Sequence, residues 1–388
     1  MINITDKAKC CGCTACKHIC PNNCIYLVED EEGFLYPKVD TAICINCGLC
    51  EKVCPVLNSK SELLPLGTYA AINEDDSVRK KSSSGGIFSL LAEWIIRSGG
   101  VVFGARYDAN WMVITESIDS LNEIYAFRGS KYLQSNLNDS YLKCKGILKE
   151  GKQVLFCGTP CQISGLKNYL RYSYDNLTTI DFVCHGVPSP GVWRRYIEEL
   201  FPREGERLIS DIKFRDKTTG WKNYSFVIDY TENAKKHSMT SVFSENIFMR
   251  AFLSDLILRP SCYQCPVKNG RSQADITIGD LWGAENIVSD MDDDQGISLL
   301  ITNTLKGEEL LKKIRVKVTP IDYFDACKYN SAIIESSRPH FRRDEFFLGL
   351  EDCKSINEHM KYCLRPTFRQ RLSLIKQRIK KLKFIDNA

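Results

Sequence analysis

Ten of the chain's 19 cysteines lie within the first 54 residues, and eight of them repeat one pattern: Cys10-x-x-Cys13-x-x-Cys16-x-x-x-Cys20-Pro21, then Cys44-x-x-Cys47-x-x-Cys50-x-x-x-Cys54-Pro55. Three thiolates spaced two residues apart can wrap one corner of an iron–sulfur cubane, and in a doubled run the fourth cysteine of each ligates the other cluster. The spacing therefore predicts two 4Fe-4S clusters, one on Cys10, Cys13, Cys16 and Cys54, the other on Cys44, Cys47, Cys50 and Cys20. Cys11 and Cys24 are left over. A zinc site would show C-x-x-C pairs split by a longer loop, without a third cysteine in step, and a disulfide framework needs no such repeat. The segment reads as a small electron-carrying module that folds around its metal.

A second set of cysteines stands in loop-like contexts: Cys161, Cys184, and the pair Cys262-Tyr-Gln-Cys265 before Pro266. The pair is a two-ligand clip that Cys161 and Cys184 would complete if the fold gathers their loops. Spacing leaves a third 4Fe-4S cluster, a zinc site and structural thiols all open, with Cys157 a competing ligand. Cys144, Cys327, Cys353 and Cys363 lack partners at ligand spacing and read as core or surface thiols. Ser82-Ser83-Ser84-Gly85-Gly86 opens a helical pattern, so it is either a helix cap or a phosphate cradle built on a helix N-terminus. Arg128-Gly129-Ser130-Lys131 and Gly158-Thr159-Pro160 add small residues and cations of the kind a dinucleotide pyrophosphate needs. No G-x-G-x-x-G follows a strand, which argues against an ordinary Rossmann nicotinamide site.

The elements that must position these residues alternate. A strand at Thr68–Ile72 leads through the serine–glycine loop into a helix over 87–96; a strand follows from Val101. Strand Gln153–Phe156 runs into Cys157–Gly165 and a helix reaching Leu170, and strand Thr178–Val183 ends at Cys184-His185-Gly186. Loops at strand ends are where α/β folds place their sites. From about 208 the texture turns β-like, at Ile209–Phe214 and Tyr224–Tyr230, with a helical stretch over 244–258. The expected fold is thus α+β or α/β and multidomain: a bacterial-ferredoxin-like module over 1–58, then an α/β region with mixed sheets. We divide that region into an N-terminal part over 66–205 and a C-terminal part over 206–340 carrying Cys262 and Cys265, followed by a helical basic tail over 341–388.

The motifs Ser83–Gly86, Gly129–Ser135, Gly158–Gln162, Cys184–Ser189, Cys262–Cys265 and Ala274–Gly283 together resemble the beta subunits of coenzyme F420-reducing hydrogenases and dehydrogenases, in order over roughly residues 1 to 305. The resemblance implies a third 4Fe-4S cluster on Cys161, Cys184, Cys262 and Cys265. It also implies FAD, bound by Ser83, Ser84, Gly85, Gly86, Gly129, Ser130, Lys131, Gly158, Thr159 and Pro160. A flavin exchanges electron pairs on one side and single electrons on the other, so such a chain is expected to be an FAD and iron–sulfur oxidoreductase. Lys131 would pair with a flavin phosphate or ring oxygen, and His185 would supply a proton; each has a plain structural alternative. The substrate is unread; by analogy with bacterial chains of this layout, a sugar or lipid-linked sugar of surface-polysaccharide synthesis is a candidate. The competing reading is an electron-transfer subunit without its own substrate, serving a partner oxidoreductase, and a third is a zinc-stabilised binding module.

Composition sets outer limits. With 52 Lys and Arg against 48 Asp and Glu, the net charge of +4 is too small to argue nucleic-acid binding. The N-terminus lacks the apolar core of a secretory signal and no apolar run reaches a membrane span, so a cytoplasmic location is expected, where reduced thiols can hold iron. The last residues, Arg365 to Lys383, interleave Leu372, Ile375, Ile379 and Leu382 with cations. That pattern suits a terminal helix packed on its own domain, or one resting on the inner membrane surface or a redox partner.

Overall fold

A computed structural model describes residues 1–202 and 204–366. The basic tail beyond Pro366, and with it the amphipathic pattern, lies outside the described residues.

The two cysteine runs fold alike. In each, the residue before the second cysteine and the residue after it take left-handed backbone: Gly12 and Thr14 in the first (φ 71° and 59°), Asn46 and Gly48 in the second (φ 51° and 71°). Two such reversals wrap the chain inward so that successive thiols face one centre, and a short helix follows each, Ala15–Ile19 and Leu49–Lys52. A β-branched residue at positive φ is costly, so Thr14 marks a backbone held to a task. Between the runs, β1 (Ile25–Glu29) and β2 (Leu35–Val39) form an antiparallel hairpin.

The body is built on β3 (Gly67–Ile72), β4 (Val101–Tyr107), β5 (Val113–Ile118), β6 (Val154–Gly158), β7 (Leu177–Phe182), β11 (Ile276–Asp280), β12 (Ser298–Thr302) and β13 (Lys317–Pro320). They form one eight-stranded sheet in the order β13-β3-β12-β11-β7-β6-β4-β5. Its centre, β4-β6-β7-β11, is parallel and its flanks antiparallel. The strands alternate as a two-sided sheet requires. Val102 and Leu155 face the helix Ile87–Arg97, which covers them with Ile87, Leu91 and Ile95. Phe103 and Phe156 face the helices Ser140–Lys149 and Pro160–Leu170. The sheet draws strands from both sides of residue 205, so the two parts of the body share one core.

A separate antiparallel sheet, β8 (Leu208–Asp216), β9 (Ser225–Glu232) and β10 (Lys235–Val242), packs Ile212, Phe214, Phe226 and Ile228 against the helices Pro190–Leu200 and Ile247–Leu253. The β9–β10 turn is the pair Asn233-Ala234, both at positive φ, the backbone of a two-residue hairpin turn. The helix expected over 244–258 stops at Leu253, because Asp255 takes φ 62° and ends it.

The ferredoxin-like module is seated in the body's cores. Phe34 and Tyr36 belong to the cluster that holds Trp193 and Phe248, while Cys11, Cys13, Ala15 and Val53 belong to the one that holds Phe156 and Leu166. Gly165 makes the second seat possible, since a Cβ there would lie 2.9 Å from Cys13 Cβ and 3.0 Å from its Sγ. Gly33 and Gly191 let the β1–β2 turn touch the start of helix Pro190–Leu200, backbone on backbone. A two-pronged ion pair, Arg343 Nη1 to Glu32 Oε1 at 3.0 Å and Nη2 to Oε2 at 2.5 Å, fastens the same turn.

Candidate functional site

Cys10, Cys13, Cys16 and Cys54 line one small cavity, which Cys11 also borders. Cys20, Cys44, Cys47 and Cys50 line another, together with Cys24. Each set takes its fourth thiol from the other run, and one of the two leftover cysteines lies beside each set. Cys24 Sγ sits 3.2 Å from Cys20 Sγ.

These thiols burden one another. Burial first, then Cys10 and Cys54, push the Cys16 thiol up to about 12. Burial likewise leads in raising Cys54, with Cys10 and Cys50 adding to it. Iron binds the thiolate, so a cationic cluster removes the cost of gathering them, and the donor set fits the group. Among the described residues no three Cys, His, Asp or Glu side chains converge on a point fit for a single metal ion. Both sets instead surround a space, as a multi-iron cluster requires.

The remaining four cysteines come from three places. Cys161 lies in the first turn of helix Pro160–Leu170, capped by Thr159 with Gln162 in a reciprocal capping box. Cys184 follows the carboxyl end of β7, and Cys262 and Cys265 sit in and just after the 3-10 turn Pro260–Gln264. The fold brings them together. Burial and then the thiols of Cys262, Cys161 and Cys265 push Cys184 well up, opposed by Lys268. Burial raises Cys262 to about 12, with Cys161 and Cys265 contributing and Val187 N–H opposing through a 3.4 Å bond to its Sγ. Cys157 is apart from this set; burial and then Asp181 push its thiol up to about 12, opposed by Lys131. Cys11 connects the two regions, its thiol close enough to those of Cys13 and Cys161 that the three perturb one another.

Cys184 also lines a cavity of about 370 Å³ above the carboxyl ends of β6, β7 and β11. Most of the residues expected to hold FAD line it: Ser83, Ser84, Gly86, Gly129, Ser130, Lys131, Gly158 and Thr159, with His185. Gly85 and Pro160 lie behind, Gly85 donating its N–H to Ser298 Oγ and Pro160 starting the helix. Ser130 N and Oγ both donate to Ser83 Oγ, at 2.6 and 2.8 Å, which ties the first two loops together. Lys217 Nζ donates to the carbonyls of Arg79, Ser84 and Gln295 at 2.9, 2.7 and 2.7 Å, bracing the serine loop from beneath. Lys131 Nζ donates to the carbonyls of Arg128 and Gly129, and burial lowers its pKa to about 8 against the opposing pull of Asp211. His185 Nε2 lies 2.7 Å from Asp255 Oδ1 without the alignment of a hydrogen bond, and its ring meets Phe252 edge-on.

Sequence reasoning did not single out the far wall. There Arg215 forms a two-pronged pair with Asp280, at 2.8 and 3.2 Å, its guanidinium 4.0 Å from the Tyr224 ring centre and 5.3 Å from that of Trp282. Trp221 donates to the same carboxylate at 3.1 Å. Asp280 and Trp282 stood inside the quoted motif Ala274–Gly283; nothing near Arg215 signalled it.

Known proteins resemble the chain in two segments. Residues 9–58 match the family described as "4Fe-4S dicluster domain", and residues 151–322 match the C terminus of the family described as "Coenzyme F420 hydrogenase/dehydrogenase, beta subunit". A comparison with curated proteins gave no match. Among solved structures, a chain of the xenon-derivatised F420-reducing NiFe hydrogenase complex of Methanosarcina barkeri is similar over 70% of this chain and 90% of that one, at 18% identity and a TM-score of 0.46. The chain thus joins a 4Fe-4S dicluster domain at its head to a segment, residues 151–322, that is similar to the C terminus of coenzyme F420 hydrogenase/dehydrogenase beta subunits.

Proposed function

We propose that this iron–sulfur electron-transfer chain is an oxidoreductase that binds FAD in the large cavity and a third 4Fe-4S cluster on Cys161, Cys184, Cys262 and Cys265. The observation that carries the reading is positional: the third cysteine set touches the dicluster module through Cys11 on one side and opens onto the cavity through Cys184 on the other. A flavin there would supply the exchange between paired and single electrons. The chain's own residues divide the remaining work. The start of helix Ile87–Arg97, with Ser83 and Ser84, offers an anion the positive end of a helix, and Arg128 and Lys131 add charge. The walls by Ile87, Phe88, Ile278 and Phe252 keep water from an apolar ring. His185, with Asp255 2.7 Å away, stands at the cavity edge as a proton donor, and Arg215 with Asp280 presents a fixed polar wall to whatever reacts there.

Anaerobic purification with iron, sulfide and flavin assays tests this directly. The expected content is about twelve irons and one FAD per chain, falling by about four irons in Cys184→Ser with the dicluster retained. About eight irons and no flavin would instead make the chain a carrier. That second reading, an electron-transfer subunit serving a partner oxidoreductase, is favoured by one feature: Ile45, 63% exposed, lines the outer cluster site with Cys47, and Ile43, 50% exposed, precedes Cys44, an apolar surface suited to docking. If flavin is present, a sugar or lipid-linked sugar, a deazaflavin and a nicotinamide are the substrates to screen.

A further inference from the structure

Four guanidinium groups are buried among the described residues, and three have carboxylates: Arg79 pairs with Asp293, Arg215 with Asp280 and Arg343 with Glu32. Arg259, 0% exposed, pairs with none of the described carboxylates. Its Nε donates to the carbonyl of Cys10 at 2.7 Å, its Nη1 to Gln134 Oε1 at 2.9 Å, and its Nη2 to the carbonyl of Leu35 at 3.0 Å. Its Nη2 also lies 3.6 Å from Cys10 Sγ. The plane of the group rests 4.2 Å from the ring centre of Tyr36. Every acceptor is an uncharged oxygen except the Cys10 sulfur, which becomes an anion when it ligates iron as the thiolate.

The position is held rather than incidental. Gln134 donates to the carbonyl of Cys11 at 3.1 Å while accepting from Arg259, so the two side chains clamp the first cysteine loop together. Gly12 leaves them room: a Cβ there would lie 2.4 Å from Gln134 Nε2 and 2.9 Å from Arg259 Nη1. A guanidinium does not shed its proton in a protein, and a buried charge without a partner is strongly unfavourable. The anion within reach is the Cys10 thiolate and the cluster it would ligate.

We infer that Arg259 is a positioning residue for the cluster of Cys10, Cys13, Cys16 and Cys54, and that its fixed charge raises that cluster's reduction potential above that of the cluster of Cys20, Cys44, Cys47 and Cys50. Reduction adds one electron, and so one negative charge, to a group beside a cation in a region of low dielectric, where the attraction is little screened. The outer site differs in charge more than in hydrogen bonding. Cys50 Sγ accepts the N–H of Ile2 at 3.2 Å, but the cation nearby, the N-terminal amine, is exposed and neutralised by Glu51 at 3.3 Å. The inference depends on the dicluster site alone and stands or falls apart from the flavin.

The test is an anaerobic redox titration of the full chain, followed by electron paramagnetic resonance, with dithionite and mediator dyes as the one-electron couple. Cys47→Ser identifies the outer cluster's signal. In Arg259→Gln with iron retained, the inner cluster's midpoint should fall by about 59 mV, tenfold in its oxidised-to-reduced ratio, while the outer cluster's stays put; Arg259→Lys should keep most of the native value. Unmoved midpoints in Arg259→Gln, a shift shared by both clusters, or equal falls in the Lys and Gln variants would each overturn the assignment. Should Arg259→Gln fail to hold iron, the native protein decides: the inner cluster must be the higher of the two, and an equal or lower midpoint refutes the inference.

Discussion

Lys131 shows how a single residue sets a condition on binding. Burial brings its ammonium down to about 8 while Asp211 pulls the other way, and its donors are spent on two backbone carbonyls rather than on a carboxylate. An anion in the cavity prefers the charged form, so above pH 8 binding must take up a proton, and affinity should fall as pH rises, approaching tenfold per unit. Below about pH 7 the dependence should flatten, because the lysine is already charged. Fluorescence titration of FAD between pH 6.5 and 9.5 measures this, with Lys131→Met expected to bind weakly and without the slope. A Met variant that kept the native slope would remove Lys131 from the phosphate site.

At the scale of elements, helix Pro160–Leu170 serves three regions at once. Its capped N-terminus holds Cys161, its apolar face packs on the sheet, and at Gly165 it leaves space for Cys13. Gly165→Val would force the module and the helix apart. Overpacking of this kind costs about 1–3 kcal/mol, and here it should also lower iron content, because the displaced atoms belong to a ligand. Gly146→Val in the neighbouring helix Ser140–Lys149, where nothing lies within 4 Å of the added carbon, is the matching control. Thermal unfolding with an iron assay compares them; equal iron in both variants would mean that the seat is not needed for assembly. A second element-scale device is Lys217, whose ammonium ties the serine loop to the loop at Gln295. Lys217→Met should weaken FAD binding by about tenfold, the loss of one or two hydrogen bonds that order the loop, without altering iron content.

In the whole molecule, the dicluster module is no bead on a linker. Phe34 and Tyr36 complete one core of the body, and Cys11, Cys13, Ala15 and Val53 complete another. A chain beginning at residue 59 would expose both faces and leave Arg259 and Arg343 without their partners at Cys10 and Glu32. It is expected to aggregate on expression. A soluble monomer that unfolds at the temperature of the full chain would show that the two cores do not depend on the module.

Much of this was legible in the residues. The eight cysteines expected to hold the dicluster stand out from spacing alone, because a cluster is wrapped largely by one local loop, and the structure groups them in the two sets that spacing predicts. The strand, loop and helix order of the body was legible for the same reason, down to the ends of β6 and β7, where Cys157-Gly158 and Cys184-His185 mark the carboxyl edge. The β10 strand was harder, since its exposed residues show no apolar alternation and its turn uses Asn233-Ala234 where a glycine is the usual sign. What the tertiary structure alone decided lies across long separations. Strand β11 returns from residue 276 to pair in parallel with β7, and this places Asp280 on the rim that Cys184 and Thr159 share. The turn at Pro260 brings Cys262 to Cys161 and Arg259 to Cys10, 249 positions away. Spacing encodes what one loop can hold; which loops meet, and which buried charge is left facing a cluster, is set by strand order and packing.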